Sequence, residues 1–444
     1  MSADALFGPM FVPHAIREAV GDRAWIAAML DFEAALAAAE ADVGLISAET
    51  AQAIAAACRP ELFNPEAIAR AGRATANPAA PLVAALAEAV EGEAAGHVHR
   101  GATSQDVMDT ASALVARRAL RLMDAELAGV ATACAELAAR HRSTQMPART
   151  LLQQALPTTF GLKAAGWLDA AVDARQRLRE LPLAVELGGA AGTMASLGSD
   201  GLRVLERIAT RLDLAEPPLP WHAARLRVAE LGTTLALAAG ALEKIARDVT
   251  LLAQTEVGEV AEPGAPGRGA SSTLPHKRNP VGSVLAIACA RRVRGEAAIL
   301  LEAMPAEHER AAGAWQAEWQ ALSAALAYTG GAAAAMREVL EGLEVHPERM
   351  RANLDATGGL VLAEAVSSAL AERLGRHEAH ALVEAAARRA AGAGRSLRKE
   401  LLGAPELDGR LREADLDELL DPANYLGCAD ALIDRALARH EAER

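Results

Sequence analysis

Two adjacent serines, a lysine and an asparagine lie close together in a glycine-rich segment. Residues 267–279 read GRGASSTLPHKRN, so Ser271 and Ser272 precede Lys277 and Asn279. The glycines predict a mobile loop, which could close over an anion with Lys277 as a point charge and Asn279 as a hydrogen-bond donor. A serine alone is a poor base, but surrounding cations and backbone N–H groups make its alkoxide accessible. Composition alone favours the alternative, an ordinary polar linker.

A second polar segment combines a histidine and an arginine with a helix start. Residues 97–110 read HVHRGATSQDVMDT, in which Thr103 and Ser104 can cap a helix whose first turn includes Gln105. A helix N-terminus is suited to binding a carboxylate or phosphate, and His99 and Arg100 come just before it. A plain capped helix explains the same residues equally well.

A third segment, residues 149–160, reads RTLLQQALPTTF and contains Thr150 and Gln153. Taken alone it indicates only a turn before the helix that Pro157 opens.

Long helices must position these segments. Apolar residues recur at alternating steps of four and three, which is a heptad-like seam and predicts a helix over about 228–259. A helix of roughly 30 residues is ~45 Å long and predicts a long bundle between subunits; the alternative is a long helix inside one monomeric domain. Further helices are predicted over about 104–140, 160–181, 281–304 and 306–343, with a flexible glycine-rich loop at 186–201. The seam consists of Leu231, Leu235, Ala238, Leu242, Ile245, Val249 and Leu252.

The composition agrees with an all-α protein. The chain has 444 residues, of which 52% are hydrophobic and only 3% aromatic, and Ala and Leu suit helices better than sheets. We predict a helical N-terminal domain (1–105), a central long-helix domain (106–345) and a helical C-terminal domain (346–444).

Charge and cysteine content exclude several classes of function. The formal net charge of −13 argues against binding to nucleic acid or to an anionic membrane surface. The four cysteines form no CxxC pair, so neither a disulfide framework nor a zinc site is predicted. The first residues lack the pattern of a signal peptide, and a cytoplasmic protein is therefore expected.

The three segments, in this order, resemble the three active-site regions of the fumarase/aspartase superfamily. The loop with Ser271 is similar to the signature loop of that superfamily. The resemblance implies an all-α, three-domain fold, a homotetramer with a bundle of central helices, and active sites that each draw the three regions from three different subunits. It implies catalytic roles for Ser271 (as general base), Ser272 and His99. It also implies that a small polycarboxylate is bound by Arg100, Thr103, Ser104, Gln105, Thr150, Gln153, Lys277, Asn279 and Arg310. No metal or organic cofactor is implied.

Within the superfamily, details such as the segment 308–319 (HERAAGAWQAEW) are similar to cycloisomerases of aromatic catabolism in the protocatechuate branch. Most members carry a proton-donating histidine where this chain has Leu151, and a leucine cannot transfer a proton. Lactonising members also lack this histidine, because a carboxylate that leaves with a conjugate-acid pKa of about 4 needs no protonation. Trp315 and Trp319 stand where adenylosuccinate lyases have polar groups. They are expected either to line the substrate pocket or to pack in the helix core, and the sequence favours neither. Leu226 is a second departure, where relatives often carry an aspartate.

Alternatives remain open at this point. The chain could be an adenylosuccinate- or argininosuccinate-like lyase that releases fumarate, or a catalytically silent structural relative. Leu151 and the two tryptophans count against the first, and the intact serine loop counts against the second. Lys277, Arg278 and Arg310 are expected to form a cationic pocket inside an acidic protein.

Overall fold

The structure is a computed structural model, and it describes residues 6–264, 269, 274, 277–407 and 411–443. Ser271 and Ser272 lie outside the described residues.

The chain is mainly helical. Within the described residues the α-helices are α1 (Gly8–Phe11), α2 (His14–Val20), α3 (Asp22–Asp42), α4 (Ala48–Ala57), α5 (Pro65–Gly72), α6 (Ala79–Ala89), α7 (Ser104–Arg140), α8 (Phe160–Arg179), α9 (Gly201–Leu212), α10 (Leu226–Leu252), α11 (Val281–Glu302), α12 (Ala314–Glu341), α13 (Pro347–Asp355), α14 (Ala363–Leu374), α15 (Arg376–Ala393), α16 (Leu397–Leu402), α17 (Glu413–Leu419) and α18 (Ala429–Ala442). The strands are β1 (Gln145–Thr150), β2 (Gln153–Thr159), β3 (Val260–Ala261) and β4 (Glu344–Val345). The all-α class predicted from the sequence is confirmed.

The chain forms two compact units, each made of three separated segments. Unit 1 comprises Met1–Leu127, Ala174–Glu243 and Leu285–Ala335, and unit 2 comprises Ala128–Asp173, Lys244–Val284 and Met336–Arg444. The division into three consecutive domains stays a prediction.

The long helices follow the sequence prediction closely, except at the end of α10 and the start of α12. Helix α7 has the predicted bounds, and α8 and α11 begin at the predicted residues. Helix α10 ends at Leu252 instead of near residue 259, because Gly258 turns the chain at φ +64° and Glu259 N–H bonds back to Leu252. Helix α12 begins at Ala314 instead of near residue 306, directly after Gly313 at φ +114°.

The heptad-like seam of α10 is buried within this single chain. In unit 1, Leu235 is 0% and Leu242 is 1% exposed, and in unit 2, Ile245 and Val249 are both 0% exposed. Burial of each such side chain contributes about 1.5–3 kcal/mol. The seam therefore forms part of the chain's own core. These residues do not support the expectation that the helix packs against other subunits.

Strands β1 and β2 form an antiparallel hairpin in the segment predicted only as a turn. Thr150 pairs with Gln153, so that Leu151 and Leu152 are the two turn residues. Their φ values of +49° and +66° are those of a type I′ turn, which usually requires Asn-Gly. Two leucines there are strained, and such strain is found mainly at functional positions.

Among the described residues, no single helix has both the length and the apolar character needed to cross a membrane; one bent pair, α13 with residues 360–374, passes that test by length and composition only.

Candidate active site

The start of α7 presents two hydroxyl groups. Asp106 Oδ2 accepts a hydrogen bond from Thr103 N–H at 2.8 Å, which is half of a capping box and fixes the entry of the chain into the helix. The hydroxyls of Thr103 and Ser104 are half-buried and bond to none of the residues that the structure describes. The first N–H groups of a helix lack intrahelical acceptors, and here they begin a helix of 37 residues. This end of α7 can therefore accept an anionic oxygen.

Asp106 also holds the neighbouring backbone in place. Its Oδ1 accepts Gly188 N–H at 2.9 Å and its Oδ2 accepts Gly189 N–H at 3.0 Å. His222 Nε2 lies 2.6 Å from Oδ1. Residues 186–201 were predicted to be a flexible loop; this prediction is wrong for the first residues of the segment, which Asp106 fastens to α7.

Gln105 and Arg310 meet in the same unit. Arg310 Nε donates to Gln105 Oε1 at 3.1 Å, and its Nη2 lies 3.3 Å from Ala190 O. Gln105 is fully buried, and its Nε2 donates to Asp109 Oδ2 at 3.1 Å and to His222 O at 2.9 Å. Gln105 is thus occupied by internal bonds and supports Arg310, whereas the sequence suggested a direct substrate contact. Arg310 forms no ion pair with any described residue, so its charge is available to a ligand.

A buried ionic network lies below these residues. The Arg225 guanidinium bonds to both Asp109 oxygens, at 2.6 and 3.0 Å, and to both oxygens of Glu318. Burial lowers the pKa of Arg225, but the two carboxylates outweigh it and raise that pKa above its usual range. Trp315 Nε1 donates to Asp109 Oδ1 at 3.1 Å, and Trp315 is only 3% exposed. Its ring packs edge-on against Trp319 at 5.0 Å between centroids. Trp315 therefore belongs to the helix core, the alternative that the sequence left open.

Glu186 is the most strongly perturbed carboxyl group of this region. Burial, with the nearby charges of Asp109 and Asp106, raises its pKa to about 9, so it is neutral at pH 7. Its Oε2 accepts Trp221 N–H at 2.6 Å, and its Oε1 has no hydrogen-bond partner among the described residues. Ligand atoms of Glu186, Asp106 and His222 lie within 4.8 Å of one another, a spacing that could hold a metal ion. Backbone N–H groups already occupy both Asp106 oxygens, and the absence of a metal stays a prediction.

His99 and Arg100 lie in the turn before α7. His99 Nδ1 is 2.7 Å from Glu33 Oε1, and its backbone adopts φ +60°. Arg100 Nη1 donates to Leu45 O at 2.9 Å. Within the described part of the chain Arg100 has no carboxylate partner at salt-bridge distance, so its charge is also available.

In unit 2 the hairpin tip exposes the residues of the second motif. Thr150 and Gln153 are exposed, and Leu151 is 98% and Leu152 76% exposed. Arg149, at the base of the tip, is held by two hydrogen bonds to the buried Glu259, at 2.9 and 2.6 Å. The hairpin thus presents its tip from a fixed base.

The two described ends of the serine-containing loop are joined. Asn279 donates to Gly269 O from its backbone N–H at 3.0 Å and from its Nδ2 at 3.1 Å. Arg278 is paired with Glu344 at 2.7 Å and donates to Glu262 O, so it is a structural cation and not part of the expected cationic pocket. Lys277 is exposed and forms no ion pair with a described residue. The predictions for Ser271 and Ser272 cannot be placed, because both lie outside the described residues.

The structure therefore groups the predicted residues in two sets. Unit 1 brings together His99, Arg100, Thr103, Ser104, Gln105 and Arg310, and unit 2 carries Thr150, Gln153, Lys277 and Asn279. Sequence reasoning missed the supporting groups. A signal existed for Asp106, which follows Thr103 at capping-box spacing. Asp109 and Glu318 lie inside quoted segments, but nothing local marked these two residues, or Glu186, His222 and Arg225, as parts of a buried supporting network.

Comparisons with known proteins identify the family of this chain. Residues 13–295 match the family model described as "Lyase", and residues 359–436 match "Adenylosuccinate lyase C-terminus". The chain belongs to this lyase family and is an enzyme of the fumarase/aspartase superfamily.

Individual relatives are similar over nearly the whole chain. The chain is 49% identical to the 3-carboxy-cis,cis-muconate cycloisomerase of Pseudomonas aeruginosa, over 99% of this chain and 97% of the relative. It is also 49% identical to the nitrosuccinate lyase of Streptomyces davaonensis, over 97% of this chain and 94% of the relative. The crystal structure of the 3-carboxy-cis,cis-muconate lactonizing enzyme from Pseudomonas putida matches with a TM-score of 0.93 at 47% identity, over 99% of each chain.

Proposed function

We propose that this enzyme is a cycloisomerase that interconverts 3-carboxy-cis,cis-muconate and 4-carboxymuconolactone in protocatechuate (β-ketoadipate) catabolism. The observation that carries the proposal is Leu151, an apolar residue at the hairpin tip where most of the superfamily has a proton-donating histidine. Relatives named for this reaction, at 47–49% identity over nearly the whole chain, support it.

The unpaired cations suit a substrate with three carboxylates. Among the described residues, Arg100 and Arg310 have no carboxylate partner at salt-bridge distance, and the hydroxyls of Thr103 and Ser104 lie at the start of α7. Lys277 is the exposed cation of the third motif, with Asn279 next to it as a hydrogen-bond donor. A polycarboxylate bound by these cations does not have to displace an internal carboxylate, because the internal ion pairs involve other arginines.

In the lactonising direction, one substrate carboxylate oxygen forms a C–O bond to the conjugated double bond. The electron pair moves onto the carboxylate at the far end of the conjugated system and gives an aci-carboxylate. Stabilisation of this charge by cations and N–H groups is the largest catalytic contribution. Ser271 then transfers its hydroxyl proton to the carbon next to that carboxylate and regains a proton from solvent. Ser272 and His99 assist at the same site. One proton is consumed per turnover at neutral pH, since a trianion becomes a dianion.

The direct test is to mix the purified protein with 3-carboxy-cis,cis-muconate and to follow its ultraviolet absorbance together with proton uptake. Decay of the absorbance with uptake of one proton per molecule is expected. No decay at micromolar enzyme would reject the proposal. Ser271→Ala should abolish turnover while the assembly keeps its size, and retained activity would remove Ser271 from its role.

A second candidate is a lyase that eliminates a leaving group from a substituted succinate to give fumarate. The equal identity to a nitrosuccinate lyase favours it. Nitrite, like a carboxylate, leaves as a weakly basic anion, so Leu151 is compatible with both reactions. The amine of an adenylosuccinate-like substrate would need an acid far more. Proton change separates the candidates, because elimination from 2-nitrosuccinate releases a proton whereas lactonisation consumes one.

The working form is proposed to be a cytoplasmic homotetramer, in which each active site takes the three motifs from three subunits. Exposed apolar side chains on the long helices support the assembly, since Leu226 is 68%, Leu237 60% and Ile299 39% exposed. Burial of such side chains against another subunit would stabilise the assembly. Light scattering coupled to size exclusion tests the subunit number, and a monomer at assay concentration would contradict the shared site.

A further inference from the structure

The backbone of His99 is in the left-handed region, at φ +60°, and Gly101 follows at φ +75°. A non-glycine residue is uncommon in this region and costs roughly 1 kcal/mol or more. This turn brings the imidazole against helix α3, where Glu33 Oε1 lies 2.7 Å from Nδ1. The contact is a side-chain pair between elements 66 residues apart, and it determines the direction of the ring.

Glu33 lies in the protein interior, where a carboxylate needs a specific partner to offset the cost of its burial. It is 1% exposed, and its second oxygen has no hydrogen-bond partner in the described part of the chain. A carboxylate that is buried in this way is costly unless it is paired with a positive charge. His99 is the group that its other oxygen contacts.

The two nitrogens of His99 therefore have different tasks. Nδ1 carries the proton that Glu33 accepts, and no described residue bonds to Nε2. The side chain is 18% exposed, so the imidazole is not sealed inside the core. The charged groups that act on the ring are Glu33 on α3 and Asp106 in the first turn of α7. Burial lowers the pKa of His99, but the hydrogen bond and charge of Glu33, together with the charge of Asp106, outweigh it and raise that pKa above its ordinary value.

We propose that Glu33 is a positioning residue, which holds His99 as an imidazolium whose Nε2–H binds a carboxylate of the substrate. His99 then acts as a cationic ligand beside Arg100 and the start of α7, and not as a base. This inference rests on the proposed function for the identity of the substrate. The charge and orientation of His99 can be measured without it.

The first measurement is the titration of each histidine in the full-length protein, by exchange of the imidazole C2 hydrogen with deuterium and peptide mass spectrometry. Glu33→Gln should lower the midpoint of His99 clearly and leave the midpoint of His97, in the same digest, where it is. Glu40→Gln is the matched control, because Glu40 is buried on the same helix two turns later and neither of its carboxyl oxygens has a hydrogen-bond partner among the described residues. It should leave the His99 midpoint much closer to that of the native sequence. An unchanged His99 midpoint in Glu33→Gln would overturn the inference.

The second measurement is KM for 3-carboxy-cis,cis-muconate against pH. A ligand role predicts that KM rises about tenfold in Glu33→Gln at a pH between the His99 midpoints of the native sequence and the variant, as the first measurement gives them. The value of kcat should change much less, since a charge-assisted hydrogen bond is lost in ground and transition state alike. At a pH below both midpoints the difference should shrink, because His99 is protonated in both proteins there. A fall in kcat with an unchanged, pH-independent KM would contradict the ligand role.

Further variants keep the test decisive if Glu33→Gln folds poorly. His99→Gln should show the raised KM at both pH values, without the pH dependence, and combining it with Glu33→Gln should add little. Additive effects would mean that the two residues act separately. If the protein does not convert the muconate at all, the proposed function fails, and the exchange measurement still decides whether Glu33 controls the charge of His99.

Discussion

Glu40 gives a prediction whose magnitude follows from the structure. The residue is 0% exposed in α3, and neither carboxyl oxygen has a hydrogen-bond partner among the described residues. Burial raises its pKa from 4.5 to about 7, while the charge of Arg100 lowers it and that of Glu33 raises it. Between these two values the native state binds more protons than the unfolded chain. The stabilisation is therefore complete below pH 4.5 and is lost as the pH rises towards 7. At about 1.36 kcal/mol per pKa unit, the loss is about 3 kcal/mol above pH 7.

Glu40→Gln removes this ionisation and resembles the neutral acid. We expect the free energy of unfolding of the variant, relative to the native sequence, to increase by about 2–3 kcal/mol between pH 5 and pH 8. Urea unfolding at both pH values and at fixed protein concentration measures it. Glu66→Gln is the control, because the Glu66 side chain is 71% exposed and its removal should shift stability by less than about 0.5 kcal/mol. A difference between variant and native sequence that is constant with pH would refute the reasoning.

Three other substitutions test the site. Glu186→Gln should change the free energy of unfolding at pH 7 by less than about 1 kcal/mol, because the native group is neutral there and the amide oxygen can still accept Trp221 N–H; a much larger loss in urea unfolding would show an ionised carboxylate. Asp106→Asn should lower the free energy of unfolding by about 2–4 kcal/mol and reduce kcat/KM, since it replaces a carboxylate oxygen that has two hydrogen-bond partners. Unchanged kinetics would show that Asp106 does not shape the binding surface. Leu151→Asn combined with Leu152→Gly should raise the free energy of unfolding by about 2 kcal/mol, because it relieves the strain of two left-handed leucines, while kcat/KM falls at least tenfold. A stabilised and fully active variant would show that the leucines play no part in catalysis.

The elements predicted well are those with local signals. Helix α7 begins at Ser104 because Thr103 and Asp106 form a cap that is visible in the sequence, and α8 begins directly after a proline-containing strand. The end of α10 was missed because Glu259 is used elsewhere, buried against Arg149 and Asn353. The hairpin was missed because its turn is Leu-Leu, which contradicts the usual turn chemistry.

The candidate site shows the same limit more sharply. Its cations could be identified from the motifs, but the sequence could not show which of them are already neutralised. Arg278 is paired with Glu344, 66 residues later, and Gln105 is bound to His222, 117 residues later. Such pairings depend on the tertiary fold. Only the structure therefore separates Arg100 and Arg310, which have no carboxylate partner among the described residues, from Arg278, which has one.

The side-chain chemistry of Arg100 and Arg310 bears on the reaction as well as on binding. Arginine stabilises developing negative charge, but its guanidinium holds its proton too firmly to protonate a leaving group at neutral pH. Leu151 removes the proton donor that most of the superfamily has at the hairpin tip. A site that stabilises anions without this donor favours substrates whose leaving group is already a stable anion. A carboxylate and nitrite meet this condition, whereas the amine of an adenylosuccinate-like substrate does not. Turnover should therefore rank with the acidity of the leaving group's conjugate acid.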